Sequence, residues 1–314
     1  MKTRPFKQVD VFGATPFRGN PLAVVLDGSG LSVEEMQHFA NWTKLSETTF
    51  LLPPSAAGAA QGADYRVRIF TPGAELPFAG HPTLGSCHAW LQAGGVPKSV
   101  DCVWQECATG LVRIRREGTG LAFAAPELQR SDPDAVLLAQ VVAALGLRAG
   151  QVRAAQLLDN GPVWLCLLLD RRQTVLQLTP DHLALKKLGH KVGVVAAEDA
   201  RSAAVLIARS NREARAFGSR SGAGVTAPVA AAEVEIEVRA FAAPVGVDED
   251  PVTGSLNASL AQWLIADGLA PASYTASQGR CLGRAGRVRI EQEADGQIWV
   301  GGDSVTCIDG EVNL

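Results

Sequence analysis

Two short segments of the chain place a glycine beside a group that can hold or move a proton. One is Ala79-Gly80-His81-Pro82-Thr83, the other Thr253-Gly254-Ser255. Each opens a stretch that reads as a helix, so each glycine stands where unpaired backbone N–H groups and a positive dipole end are on offer. Two such ends facing one cleft would hold a carboxylate, and glycine would let it come close to the backbone. Two carboxyl groups add to the set. Glu47 lies where a helix gives way to a strand, and Asp250 precedes a proline at a helix start. Taken singly, each has an ordinary explanation in capping, solvation or a structural histidine. Taken together they are a carboxylate base, a second carboxylate, an imidazole and two ends that receive an anion. That is equipment for moving a proton on a small carboxylated molecule.

Other chemistries find no footing. The six cysteines, at 87, 102, 107, 166, 281 and 307, form no CxxC and have no histidine at zinc spacing. They are expected to be small buried hydrophobes. The five histidines include no HExxH, and there is neither a GxSxG elbow nor a Walker loop. Gly222-Ala223-Gly224 follows a polar stretch instead of a strand, so it is not a dinucleotide loop. No metal and no cofactor are expected.

The elements that must position these residues recur in order. Residues 7–12 alternate as a strand, Gly19-Asn20-Pro21 turns the chain, and Leu22 to Val25 is a second strand. Ser32-Val33-Glu34-Glu35 is a capping box, with Leu31 and Met36 set for a hydrophobic staple, and predicts a helix over 33–44. A strand follows at Thr48 to Leu52 and another at Tyr65 to Phe70. Residues 82–92 carry no Asp, Glu, Lys or Arg, which predicts a helix buried on all sides, with Pro82 as its first residue. Strands follow near 99–105, 110–116 and 119–124. The second half repeats this: a strand at Val234 to Phe241, a loop of Pro, Gly and acids, a charge-free helix over 254–266, then strands near 287–292, 297–301 and 304–308. Between the halves, Asp132-Pro133 and Thr179-Pro180 cap helices ended by Gly146 and Gly189, and Val163 to Leu169 is a fully buried strand. Residues 209–232 read as a long loop.

Composition sets the outer bounds. With 314 residues, two domains of roughly 150 each are expected. At 47% hydrophobic and 19% charged the chain builds a core and is not disordered throughout. A net charge of −3 gives no electrostatic case for nucleic acid or an anionic membrane surface. No apolar window is long enough to span a bilayer, and the start lacks the apolar core of a signal peptide, so a cytoplasmic protein is expected.

The blocks around these residues resemble the PhzF-like phenazine-biosynthesis isomerase family. They are Phe12 with Gly19 to Val25, Leu45 to Phe50, Phe78 to Gly85, Glu249 to Ser255, Gln278-Gly279 and Gly283-Arg284. They fall in order across nearly the whole chain. The resemblance implies an α+β, diaminopimelate-epimerase-like fold: two pseudo-symmetric domains, 1–127 and 128–314, each a mostly antiparallel β-barrel around a central helix. The last strand is a candidate to return to the first domain. It implies a cofactor-independent isomerase acting on trans-2,3-dihydro-3-hydroxyanthranilate or a similar small carboxylated ring, and a homodimer. Glu47 matches the base that later acts as acid. His81 and Asp250 match residues that orient substrate and handle the proton, and Gly80, Gly254 and Ser255 match those that bind the carboxylate. Related epimerases place a cysteine at each helix start, in slots that here hold Ala79 and Thr253, so two-cysteine racemisation is disfavoured. Two other functions stay open: a non-catalytic binding or interaction protein on the same fold, and a one-base amino-acid isomerase or racemase.

Overall fold

A computed structural model describes residues 1–118, 120–197 and 235–314. The loop expected over 209–232, with Gly222-Ala223-Gly224, lies outside the described residues. The first half runs β1 (Thr3–Val11), β2 (Asn20–Val25), α1 (Val33–Thr43), β3 (Glu47–Leu52), α2 (Ala56–Ala60), β4 (Tyr65–Phe70), β5 (Glu75–Leu76), α3 (Gly80–Gln92), β6 (Cys102–Cys107), β7 (Gly110–Glu117) and β8 (Gly120–Ala124). The second runs β9 (Gln129–Ser131), α4 (Ala135–Ala144), β10 (Val152–Asp159), β11 (Val163–Leu169), α5 (Arg172–Gln177), α6 (His182–Leu188) and β12 (Lys191–Ala197). It resumes with β13 (Glu235–Ala242), β14 (Val247–Asp250), α7 (Gly254–Ala266), β15 (Ser273–Gln278), β16 (Gly286–Gln292), β17 (Ile298–Gly302) and β18 (Ser304–Asn313).

The two halves share one pairing scheme. β1–β2 and β10–β11 are antiparallel. β2–β3 and β11–β12 are parallel, with α1 bridging the first pair and α5 and α6 the second. A parallel pair needs such a crossover, whereas an antiparallel pair closes with a hairpin. β4–β6 is parallel across α3, as β13–β15 is across α7. Antiparallel β6–β7–β8 and β15–β16–β17 complete each sheet. The halves then exchange their final strands. β9 leaves the first half to pair with β10, and β18 leaves the second to pair with β1 along nearly all of it. β8 against β17 joins the sheets once more.

Each sheet curls around one uncharged helix. α3 packs against β1 to β4, β6, β8 and β18, and α7 against β10, β16 and β17. Leu84, Leu256 and Trp263 are at most 1% exposed. Burying side chains of this size stabilises the fold by roughly 1.5–3 kcal/mol each, which is why neither helix keeps a polar face. α3 starts at Gly80, two residues before the expected start, with Ala79 as its cap. Pro82 is then the third helical residue, still in the first turn, where an N–H has no intrahelical acceptor to lose.

The α1 capping box forms as read, with Glu35 N donating to Ser32 Oγ at 3.2 Å and Ser32 N to Glu35 Oε2 at 2.8 Å. Leu31 and Met36 join one apolar cluster. α1 stops at Lys44 (φ 58°), which delivers Glu47 as the first residue of β3.

Several expectations are corrected. The caps of α4 and α6 are Asp134 and Asp181, not Asp132-Pro133 and Thr179-Pro180, because a carboxylate directly before the first turn reaches its free N–H groups. β6 sits later than 99–105, since its hairpin with β7 closes between Cys107 and Gly110. β18 runs past residue 308 because β1 offers partners as far as Thr3. β11 is not buried throughout: Val163 is 43% exposed. Of the cysteines, Cys87, Cys107 and Cys166 are buried, Cys102 and Cys307 are partly exposed, and Cys281 is exposed. Among the described residues no helix is long and apolar enough to cross a membrane.

Candidate active site

The first turns of α3 and α7 meet head to head. A Cβ added to Gly80 would lie 2.9 Å from Gly254 Cα, and one added to Gly254 would lie 3.0 Å from Gly80 Cα. Only residues without a side chain allow this approach. The two positive helix ends therefore converge on one place.

A cleft of about 560 Å³ opens there. Ser46, Glu47, Phe78 and Ala79 line it from the first half. Trp164, Lys191, Asp250, Thr253 and Ser255 line it from the second. His81, 3% exposed, is buried beside Glu47, with Nε2 3.5 Å from Glu47 Oε2. The residues expected at the site are brought together: Glu47, Asp250 and Ser255 on the wall, His81 against Glu47, Gly80 and Gly254 where the helices touch.

Asn20, fully buried at the start of β2, ties these groups to each other. Its Nδ2 donates to Asp250 Oδ1 and to Val252 O, each at 2.9 Å, and lies 3.4 Å from His81 Nδ1. Its Oδ1 accepts from Ser46 Oγ at 3.4 Å. Thr253 Oγ1 donates to Asp250 Oδ2 at 2.5 Å. Gln278, at the end of β15, donates from Nε2 to Asp250 O at 3.0 Å and Thr253 Oγ1 at 2.9 Å, while its Oε1 accepts from Thr253 N at 3.1 Å. Asn160 Nδ2 donates to Ser255 O at 3.1 Å.

Burial sets the charge states. It pushes the Glu47 carboxyl up to about 7, against the opposing pull of the Ser46 hydrogen bond and the Lys191 charge. Asp250 is raised as well, first by burial and then by Glu47, while His81, Thr253 and Asn20 hold it back. His81 is pushed down to about 4 by burial, although Asp250 and Asp10 favour its cation. The ring is therefore neutral at pH 7. Asn20 Nδ2 has no lone pair to offer a proton on His81 Nδ1, which favours the ring proton on Nε2, facing Glu47. Glu47 Oε2 and His81 Nε2 are both buried without a hydrogen-bond partner among the described residues. A carboxyl near its own pKa beside a neutral donor can take a proton and return it at neutral pH.

Asn20, Lys191, Trp164 and Gln278 were not among the expected site residues. Asn20 and Gln278 stand in blocks that stood out in the sequence, but nothing local told their roles. Lys191 and Trp164 gave no signal at all. Ala79 and Thr253 occupy the two helix starts, so no thiol stands there. Among the described residues no group of three or more His, Cys, Asp or Glu is arranged to hold a metal ion.

Fold and site together define a two-lobed α+β scaffold of the diaminopimelate-epimerase type, with a carboxyl-lined cleft where its two central helix ends meet. The family described as phenazine biosynthesis-like protein (PhzC-PhzF) matches residues 9–310. The chain is 34% identical to antisense-enhancing sequence 1 of Schizosaccharomyces pombe, over 99% of each chain. It is 37% identical to the trans-2,3-dihydro-3-hydroxyanthranilate isomerase of Pseudomonas aeruginosa, over 56% of this chain and 61% of that one. The crystal structure of a PhzF-family phenazine biosynthesis protein from Bacillus anthracis covers 100% of both chains with a TM-score of 0.77 at 21% identity, a likeness of fold. The chain belongs to the PhzC-PhzF, phenazine biosynthesis-like family.

Proposed function

We propose that this protein is an isomerase that shifts a proton on a small carboxylated ring, without a cofactor. One observation carries the reading: a buried carboxyl, Glu47, held near pH 7 beside a neutral His81, in a cleft where two helix N-termini meet. The substrate carboxylate lies against the ends of α3 and α7, near Gly80, Gly254 and Ser255. Glu47 removes a C–H proton and returns it to another carbon of the same conjugated system. His81 Nε2–H and Asp250 orient the reacting ring, and Asp250, with its own raised pKa, shares the proton traffic. The class of substrate is that of trans-2,3-dihydro-3-hydroxyanthranilate, named for the Pseudomonas relative.

Proton NMR in D₂O with a panel of small cyclic carboxylates tests this. Wild-type protein should shift a proton and incorporate deuterium, and Glu47→Gln should not. Exchange of an α-hydrogen in an amino acid would point to a one-base racemase. The relative from Schizosaccharomyces pombe is named antisense-enhancing sequence 1 and not an isomerase, and a binding or interaction role on the same fold is the second reading. Tight binding of a carboxylate with no exchange in either protein would support it.

A further inference from the structure

The parallel pair β2–β3 in the first half corresponds to β11–β12 in the second. Glu47 opens β3, in register with Leu22 of β2. Lys191 opens β12, in register with Trp164 of β11. The pseudo-symmetry thus sets Lys191 opposite the proposed base, and both line the same cleft. Among the described residues the Lys191 side chain makes no hydrogen bond or ion pair. Its ammonium lies 5.2 Å from the centre of the Trp164 ring. Trp164 is 3% exposed, and its indole N–H has no hydrogen-bond partner among the described residues. The ammonium at the second-half wall is therefore left without an acceptor, while the helix ends already supply a place for one carboxylate.

We propose that Lys191, backed by the Trp164 ring, forms a second anion-binding point, so that the preferred substrates are rings bearing two acidic groups, one at the helix ends and one at Lys191. This rests on the reading of the cleft as a carboxylate-binding isomerase site. Lys191 suits the task on three counts. It is a compact charge with three donors. Its ammonium stands over the Trp164 ring, 5.2 Å from the centre. Burial lowers its pKa, so an incoming anion regains for it the stabilisation that water no longer gives, and Glu47 and Asp250 draw it the same way without reaching ion-pair distance. The ring of a small dicarboxylate would lie alongside the indole, between the two lobes.

The test compares benzoate with isophthalate, a monoacid and a diacid on the same ring, by ligand-observed NMR titration at pH 7. Wild-type protein should bind isophthalate at least about tenfold more tightly, the low end of what a charge-assisted hydrogen bond contributes. Lys191→Met removes the ammonium and should bring the two affinities together. Lys191→Arg should keep the preference. Wild-type protein that binds the two ligands equally, or binds neither, overturns the proposal. So does a preference that survives in Lys191→Met, and the wild-type comparison decides even if that variant fails to fold. Failure of the isomerase reading shows separately, as deuterium exchange that persists in Glu47→Gln.

Discussion

Gly80 and Gly254, 174 positions apart in the chain, stand in contact at the tips of two buried helices. A methyl on either would press within about 3 Å of the other's backbone, and backbone cannot swing aside as a side chain can. Gly80→Ala and Gly254→Ala should therefore push the helix ends apart. Overpacking of this kind typically costs about 1–3 kcal/mol. Urea unfolding should show that loss, and carboxylate binding should weaken in both variants by a larger factor than in Ser255→Ala, which leaves the helix contact intact. Unchanged stability in both variants would mean that the two ends are free to separate.

Glu47→Gln keeps shape and reach but takes no proton at neutral pH. Deuterium exchange should fall by roughly 10²–10⁴-fold, the usual contribution of a positioned acid–base group. The wild-type rate should rise with pH through about 7, as Glu47 ionises.

The same carboxyl makes stability depend on pH. Its folded pKa lies above its ordinary value of 4.5, so the folded state holds the proton more tightly than the unfolded chain. That contribution is complete below about 4.5 and is lost as pH rises through about 7. Denaturant midpoints of the wild type should fall across this window, and Glu47→Gln should flatten the fall. The slope that remains combines Asp250, whose raised pKa gives the same sign, with His81, whose lowered pKa makes stability rise with pH between about 4 and 6.5. A Glu47→Gln curve parallel to the wild type would place the titrating group elsewhere.

Asn20→Ala would strip a hydrogen bond from Asp250 and one from Val252 O in a site with no water-exposed surface at Asn20. Leaving such groups unpaired costs about 1–3 kcal/mol each. The larger consequence is for His81, whose Nδ1 loses the amide nitrogen that disfavours a proton there. Nitrogen-15 spectra of the imidazole should show a single tautomer with the proton on Nε2 in wild type, and a mixture in Asn20→Ala. Wild-type spectra with the proton on Nδ1 would contradict the role given to Asn20.

The cysteines differ in reach. Cys281 is exposed, whereas Cys87 is fully buried with its thiol pushed up to about 12, and burial raises Cys166 as well. A thiol reagent should label Cys281 in the native protein and reach Cys87 and Cys166 only after unfolding. Mass spectrometry of the labelled peptides reads this directly.

Local chemistry in the chain was enough to find α1 from its capping box, the uncharged helices α3 and α7 from their lack of a polar face, and the order of strands around each. The blocks holding His81 with Gly80, and Asp250 with Gly254 and Ser255, could be picked out because unusual residue types cluster within a few positions of a helix start, and Glu47 because its block stands where a helix gives way to a strand and resembles a known family. Distance between blocks was beyond such reading. Asn20 meets Asp250 only because β2 and α7's approach lie on facing lobes, and Gln278 meets Thr253 because β15 runs beside β13. The reciprocal exchange of β9 and β18 depends on strand pairing across the whole chain, which no local pattern encodes. Lys191 opens a strand like many lysines on a protein surface. Only the pairing of β11 with β12, and the closing of two sheets on one cleft, sets it against Trp164 and across from Glu47, and the burial that tunes all three exists only once the lobes have met.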